Sequence, residues 1–188
     1  MNEATLQLEG EGCVVMFHEE PTYSPRSADN ARRYAREYEL QEKGYSPASS
    51  YGVVCRGPLG QESSCILFAG GGCTRVHQQS AVIIGPRCFI GVGDQLCGLV
   101  LPSLEMCWTV KIDLATCFGV YYSARHRCLL SHGELEIARV DLDGRVIWSH
   151  GGRDIFSEDF RVFDDHVEAV DFYHDVYRFE INGGRPIR

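Results

Sequence analysis

The sequence lacks the patterns that mark many membrane, phosphate-binding and metal-binding proteins. None of its apolar runs approaches the ~20 residues that a membrane-spanning helix needs. Gly70-Gly71-Gly72 has neither the spacing of a phosphate-binding loop nor a helix signal after it, which excludes a P-loop. Cys-x2-Cys and His-Glu-x-x-His are absent, and Cys73-x3-His77 has no second pair nearby. We therefore expect no bound metal.

Runs of lysine and arginine are also missing, and the 188 residues carry a formal net charge of −8. An acidic chain repels phosphates, so we expect neither nucleic acid nor a membrane as a partner. The start MNEATLQLEGEG shows neither the basic nor the apolar segment of a secretory signal. The nine cysteines are odd in number and lie mostly in apolar strand patterns, which favours buried, free thiols. These features predict a cytoplasmic protein.

No pattern of an activated nucleophile is present. The Gly-x-Ser-x-Gly elbow is absent. Several histidines lie near carboxylates along the chain, but a catalytic triad is defined by a geometry that sequence spacing does not give. One of the cysteines paired with a histidine remains an alternative. The sequence therefore favours a non-enzymatic role.

A repeat with a step of 40 residues is the main positive feature of the sequence. The stretch Arg87–Asp113 aligns with Arg127–Arg153 without a gap, so that Trp108 falls on Trp148. A fainter third copy follows at the same step and ends with the chain. A fixed step of this size is typical of stacked units, each a small antiparallel sheet that buries its apolar face against its neighbours.

One stretch of the repeat resembles a known family. The stretch Leu142–Trp148, LDGRVIW, is similar to the D-x-x-G-x-x-x-W stretch of PQQ-like (quinoprotein-like) β-propeller repeats, which share their architecture with WD40-like propellers. The resemblance covers residues 80–188 and implies that glycine closes a turn and that tryptophan docks between sheets. The copy at Leu101–Trp108 departs from it, with Pro102-Ser103-Leu104 in place of the Asp-Gly turn. Because propellers host many unrelated functions, the resemblance implies an architecture, but no site and no quinone cofactor.

We therefore predict an all-β protein, either a small β-propeller-like domain or a stack of antiparallel sheets, with a β-sandwich as the alternative. A single domain over 1–188 is expected, with an N-terminal strand and helix in 1–50 and the β-repeat body in 51–188. The last repeat has one strand too few, and the apolar run Cys13–Phe17 is predicted to supply it and close a ring.

The one predicted helix covers Ala28–Lys43 and lies on the surface. Ser27 suits the N-cap position, and Gly44 suits the position after the helix end. A modest apolar stripe follows the spacing of one helix face: Ala31, Tyr34, Ala35 and Tyr38. We expect this helix to cover a sheet edge, with a lid or docking helix as the alternative.

The most polar loop, Ser149–Phe156, is the predicted binding site. It joins one repeat to the next and contains glycines that allow a close backbone approach. Together with the turn at His132 and Glu134, which comes one turn earlier in the same repeat, it gives the predicted binding residues: His132, Glu134, His150, Arg153 and Asp154. The favoured function is a cytoplasmic protein-interaction module of the adaptor, immunity or assembly-factor type. The alternatives are a small-molecule binder or hydrolase using this rim, and a structural subunit of a homo-oligomer; the oligomeric state stays open.

Overall fold

Four β-sheets make up the computed structural model of the protein, which describes residues 5–41 and 46–187. The first sheet contains β1 Leu6–Gly10, β2 Cys13–Glu19, β3 Arg36–Glu39, β4 Ser49–Arg56 and β5 Glu62–Ala69. The second contains β6 Ala81–Ile84, β7 Arg87–Val92, β8 Gln95–Val100 and β9 Glu105–Lys111. The third contains β10 Cys117–Ser123, β11 Cys128–Gly133, β12 Glu136–Val140 and β13 Val146–Gly151. The fourth contains β14 Phe160–Val162, β15 His166–Val170, β16 Val176–Glu180 and β17 Pro186–Ile187. Between the first two sheets lies a 3₁₀ turn at Gln78–Ser80.

The last three sheets are antiparallel meanders whose strands pair in chain order. All three lie within the β-repeat body that was predicted over 51–188. Their alternation of buried and exposed positions, as in β15, follows from a sheet with one face towards a neighbour. The all-β, propeller-like prediction is confirmed.

Three apolar cores hold the sheets in a row. One core lies between the first and second sheets, one between the second and third, and one between the third and fourth. Within residues 5–41 and 46–187, none of these cores joins the fourth sheet to the first. The described part of the chain is therefore an arc of four sheets.

The run Cys13–Phe17 does not complete the last sheet, so the predicted ring closure is wrong. It lies in β2, which pairs with β1 and β4 of the first sheet. A short hairpin joins β1 to β2, and closing it costs far less chain entropy than pairing with a strand near residue 180. The fourth strand of the last sheet is β17, whose Ile187 pairs with Arg178.

The predicted helix over residues 28–43 is also wrong; residues 42 and 43 lie outside the described chain. Residues 20–35 instead cross the outer face of the first sheet, the face turned away from the second sheet. There the Tyr34 hydroxyl donates a hydrogen bond to Glu20 at 2.7 Å, and its ring lies over Gly52. Tyr23 packs on Phe68, with ring centroids 5.8 Å apart. Burying these tyrosines against the sheet outweighs the weak helical stripe.

Strand β3 follows this crossing segment and adds a fifth strand to the first sheet. It pairs with β5 in a parallel register, so that Arg36 lies opposite Cys65. Its side chains alternate: Tyr38 packs towards the second sheet, whereas Glu37 accepts a hydrogen bond from Tyr23 on the outer face. β3 is therefore an edge strand of the first sheet, where a helix was predicted to cover the edge.

Trp108 and Trp148 form equivalent joints between successive sheets. Trp108 Nε1 of the second sheet donates to the carbonyl of Leu142 in the third at 3.1 Å. Trp148 Nε1 of the third sheet donates to the carbonyl of Ile181 in the fourth at 2.8 Å. Each indole lies against a glycine of the same turn, Gly144 or Gly184. The 40-residue step therefore describes a true structural repeat.

An arginine joins each tryptophan at the same turn. Arg87 donates to the carbonyl of Leu142 at 2.7 Å, and Arg139 donates to that of Ile181 at 3.1 Å. Each of these carbonyls thus receives one N–H from an indole and one from a guanidinium. The pair of donors fixes the distance between one sheet and the next.

The joint between the first and second sheets has the same form with different residues. Tyr38 donates its hydroxyl to the carbonyl of Leu104 at 3.1 Å, and Arg36 donates to that of Ser103 at 2.6 Å. Leu104 has a φ of +57°, in the left-handed region that Gly144 occupies with a φ of +87°. The copy that departs from the Asp-Gly turn keeps the left-handed backbone at the position of this glycine.

Substituting Gly144 tests the tryptophan joint. In Gly144→Ala the new methyl carbon would sit 2.5 Å from the Trp108 ring, and the left-handed backbone adds strain. We expect a loss of about 2–4 kcal/mol in the free energy of unfolding, measured by urea denaturation. Gly60→Ala is the matched control, since Gly60 has a φ of +79° and open space around it. It should lose only about 1 kcal/mol. Equal losses in both variants would contradict the joint.

Candidate functional site

The end of the arc opposite the tryptophan joints carries the β7–β8, β11–β12 and β15–β16 turns. We call this end the turn rim; it also contains the connections between sheets, at residues 70–80, 112–116 and 152–159. Each turn donates one backbone N–H to the connection that precedes its sheet: Asp94 to Gly70 at 3.2 Å, Glu134 to Thr116 at 2.7 Å and Phe172 to Ile155 at 2.9 Å. These bonds identify equivalent positions in the three junctions.

Asp113 is a buried carboxylate that holds the second and third sheets together at this rim. Oδ1 accepts the backbone N–H groups of Ala115 and Thr116, and Oδ2 accepts those of Leu135 and Glu136, all within 2.9 Å. Four satisfied donors make this side chain a structural element. Sequence reasoning missed it, although its position directly after an apolar strand is a usable signal.

The predicted binding residue His132 lies in the core between the third and fourth sheets. Its Nε2 donates to the carbonyl of Phe156 at 3.0 Å, and its ring stacks on Phe160 at 4.8 Å. Burial lowers the pKa of His132 to about 4, because the imidazolium would lose its hydration. The imidazole is therefore neutral near pH 7 and contributes packing and a hydrogen bond.

His150 belongs to the joint between the third and fourth sheets. Its ring stacks on Trp148 at 5.5 Å and on Phe179 at 5.1 Å. The two predicted histidines thus lie in aromatic packing, in different surroundings, and do not face one common cavity.

Glu134, Arg153 and Asp154 lie at the turn rim. The backbone carbonyl of Glu134 accepts the N–H of Phe156 at 2.7 Å, and the Asp154 carboxylate accepts the N–H of Ile155 at 2.8 Å. Arg153 is 77% exposed at its side chain, so it is available to a partner. The structure brings these three to one edge of the molecule and separates them from the two histidines.

An exposed aromatic turn lies beside Arg153 and was not predicted from the sequence. Phe172 is 57% exposed and Tyr173 is 61% exposed, with their rings 5.6 Å apart. Val176, also exposed, follows them, and the Arg153 guanidinium lies 5.7 Å from the Tyr173 ring. We call these four residues the aromatic patch. Two adjacent aromatic residues in a polar turn, DFYHD, were the available signal.

Asp171 fixes the backbone that carries the aromatic patch. This carboxylate is fully buried and accepts the N–H groups of Tyr173 and Asp175 at 2.9 Å each. Its second oxygen accepts the hydroxyl of Tyr177 at 3.0 Å, and that hydroxyl also accepts the N–H of Arg153 at 3.0 Å. One network therefore orders both the turn and the predicted loop.

A cavity of about 630 Å³ opens on the turn rim between the first and second sheets. Its lining includes Leu40, Gly70, Gly71, Asp94 and Leu114. This volume lies in the range of small-ligand sites. None of the five predicted binding residues lines it.

The cysteines are all free thiols, and only Cys73 and Cys107 are exposed. Burial raises the pKa of the Cys65 and Cys117 thiols to about 12, so these two are poor nucleophiles near neutral pH. Among the residues described, no group of three or more His, Cys, Asp and Glu side chains is placed to hold a metal ion. In the same part of the chain, no helix has the length and apolar character needed to cross a membrane.

Comparison with known proteins supports the fold. No family model and no curated protein matches the chain. BamB from Moraxella catarrhalis, a PQQ-like β-propeller, aligns with 97% of this chain and 62% of its own, at 12% identity and a TM-score of 0.54. The designed protein Ika8 aligns with 97% of this chain and 59% of its own, at 10% identity and a TM-score of 0.53. Sqt1 from Saccharomyces cerevisiae aligns over 76% and 43%, at 13% identity and a TM-score of 0.51.

These similarities assign the fold class. The chain has the β-propeller repeat fold of PQQ-like and WD40-like proteins, as its tryptophan repeat predicted. It spans about three fifths of BamB and of Ika8, in agreement with an arc of four sheets. At identities of 10–13% the similarity concerns the fold alone.

The buried His132 should make stability depend on pH. Its pKa is about 6.5 when unfolded and about 4 when folded, so the unfolded chain binds the proton first as the pH falls. The stability that neutral His132 contributes is complete above pH 6.5 and is lost between pH 6.5 and 4. The loss should approach about 3 kcal/mol.

His132→Gln keeps a donor for the Phe156 carbonyl but does not titrate. Urea unfolding of both proteins at pH 7, 5.5 and 4 isolates the contribution of His132, because every other group titrates in both. The wild-type protein should lose more stability than the variant. Parallel curves would show that His132 is not the buried, neutral imidazole described above.

Proposed function

We propose that this protein is a non-enzymatic protein-interaction module whose docking surface is the turn rim of the fourth sheet. The aromatic patch is the observation that carries the proposal. Soluble surfaces seldom expose two large aromatic rings side by side. Tyrosine and arginine are among the residues that contribute most to protein–protein binding. Of the predicted binding residues, Arg153 belongs to this patch and Asp154 follows it in the chain.

The patch is ordered before a partner arrives. The Asp171 carboxylate holds the backbone of Tyr173, and the Tyr177 hydroxyl links it to Arg153. Binding to a preordered surface loses less conformational entropy than binding to a loop that must first fold. This geometry therefore supports a specific, rigid contact surface.

The charge of the chain suggests the chemistry of the partner and its compartment. A net charge of −8 favours a partner with a basic surface, because complementary charge speeds association and excludes competitors. The exposed thiols of Cys73 and Cys107 suit a reducing compartment, so we place the protein in the cytoplasm.

The two alternatives have less support. A small-molecule site or hydrolase built from His132, His150 and Asp154 would need these groups to face one space, whereas both imidazoles lie in aromatic packing. A structural role in a homo-oligomer predicts self-association, which size-exclusion chromatography with light scattering measures directly.

The double substitution Phe172→Ser with Tyr173→Ser tests the docking surface. Immobilised wild-type protein should recover a stoichiometric partner from an extract of the source cells, identified by quantitative mass spectrometry. Losing two such rings should weaken binding by about 4 kcal/mol or more, so recovery should fall at least tenfold. Leu59→Ser is the matched control. Leu59 is 91% exposed and lies in the β4–β5 turn at the opposite end of the arc, so that variant should recover the partner fully.

Thermal unfolding of each variant shows whether the fold is intact. Equal recovery by the wild-type protein and the double variant would move the docking surface elsewhere. If no stoichiometric partner is recovered and the pure protein forms a defined oligomer, the homo-oligomer alternative replaces the proposal.

A further inference from the structure

The three junctions between sheets differ in what fills them at the turn rim. The connection residue that accepts the N–H of the following turn, and the residue after it, are Thr116-Cys117 in the second junction and Ile155-Phe156 in the third. Thr116, Cys117 and Phe156 are each at most 2% exposed, so side chains occupy these two junctions. The first junction has Gly70-Gly71 at the equivalent positions, and the cavity of about 630 Å³ opens there.

The glycine at position 71 is required by its surroundings. Its φ is +76°, and a Cβ at this position would collide with the carbonyl oxygen of Ala115 and lie 2.8 Å from the Cβ of Asp94. No larger side chain at position 71 fits this backbone. Gly71 therefore packs tightly against residues 94 and 115 at the wall of the cavity.

A buried carboxylate forms part of the cavity wall. The side chain of Asp94 is only 8% exposed. Its Oδ1 accepts a hydrogen bond from Gln95 Nε2 at 3.0 Å, and its Oδ2 pairs with Lys111 Nζ at 3.0 Å. An ionised carboxylate has about four acceptor positions, and these two partners use two of them. Asp94 can therefore accept further N–H donors from a group that enters the cavity.

Two leucines give an otherwise polar lining, which includes Gln41, Ser46, Gln95 and Lys111, its apolar contacts. Leu40 and Leu114 line the cavity, and Leu114 is 70% exposed. An arginine carries three methylene groups, which pack on apolar side chains, and a flat guanidinium, which donates two parallel hydrogen bonds to a carboxylate. A lysine offers a single point charge of the kind that Lys111 already supplies. Arginine fits the Asp94 wall better than lysine does.

We propose that this cavity binds an arginine side chain from a basic segment of the protein partner, with Asp94 as the acceptor and Leu40 and Leu114 against the methylene groups. The inference rests on the proposed interaction function and specifies the partner's chemistry. The cavity and the aromatic patch both lie at the turn rim.

Titration with N-acetyl-arginine amide tests the cavity without the partner. Chemical shifts of the intact, isotope-labelled protein should change at Gly70, Gly71 and Asp94, with a dissociation constant on the order of 1 mM for so small a ligand. N-acetyl-citrulline amide has nearly the same shape but no charge, and N-acetyl-lysine amide has the charge without the planar group. Both should bind at least tenfold more weakly.

Three variants decide whether Asp94 is the acceptor. Asp94→Asn keeps an oxygen for Gln95 but removes the charge, and it should weaken arginine amide binding at least tenfold. Lys111→Met removes the cation that competes for Asp94, and it should tighten binding severalfold. Asp143→Asn is the control, since this carboxylate is 89% exposed and lies in the turn of a tryptophan joint, away from the turn rim. It should leave binding unchanged.

Equal binding of arginine and citrulline amides, or no effect of Asp94→Asn and Lys111→Met, would overturn the proposal. If Asp94→Asn does not fold, the Lys111→Met result and the citrulline comparison decide it. The substitutions at Phe172 and Tyr173 should leave arginine amide binding intact. Failure of the docking surface is thereby measured separately from failure of the arginine site.

Discussion

Pairs of N–H or O–H donors on turn carbonyls hold each sheet of this protein to the next. A guanidinium and an aromatic side chain from one sheet donate to the same turn of the following sheet at all three junctions. A small antiparallel sheet cannot bury its own apolar face, and a turn carbonyl buried without a donor is costly. The three apolar cores depend on these joints, because the joints set the spacing at which the cores pack.

The same constraint explains the outer faces of the first and fourth sheets. The first sheet has no preceding sheet, and residues 20–35 cover its outer face with Tyr23 and Tyr34. The outer face of the fourth sheet carries Glu168 and Arg178, joined by a hydrogen bond of 2.9 Å from Arg178 Nε. Terminal units of repeat proteins commonly present polar outer faces of this kind. In the described chain, tyrosines lie on the outer face of the first sheet and this ion pair lies on the outer face of the fourth.

The sequence predicted the features that recur in each repeat, and it missed the features that occur in a single sheet or junction. Trp108, Trp148 and Gly144 recur at a fixed step, so the joints were visible without coordinates. The first joint was hidden, because Tyr38 replaces the tryptophan and Leu104 adopts the left-handed conformation that glycine normally occupies. Residues 28–41 were misassigned because a weak helical stripe carries less free energy than packing of tyrosines on a distant strand. The cavity and the aromatic patch arise from contacts between sheets, which local patterns do not encode.

The two rims of the arc are under different constraints, and this difference supports placing function at the turn rim. At the tryptophan joints the side chains themselves hold the sheets together. Trp108 and Trp148 supply equivalent donors at equivalent positions, and the turn that each of them meets has a glycine in the left-handed region. At the turn rim, a backbone N–H to carbonyl bond joins each turn to the connection before it, and the Asp113 carboxylate adds side-chain bonds in the second junction. Equivalent positions there hold two carboxylates, Asp94 and Glu134, and the phenyl ring of Phe172, on one backbone geometry. The side chains at these positions are not the donors or acceptors of the bond that joins turn and connection, so they can differ from one junction to the next. At these positions the molecule exposes an aromatic patch and opens a cavity.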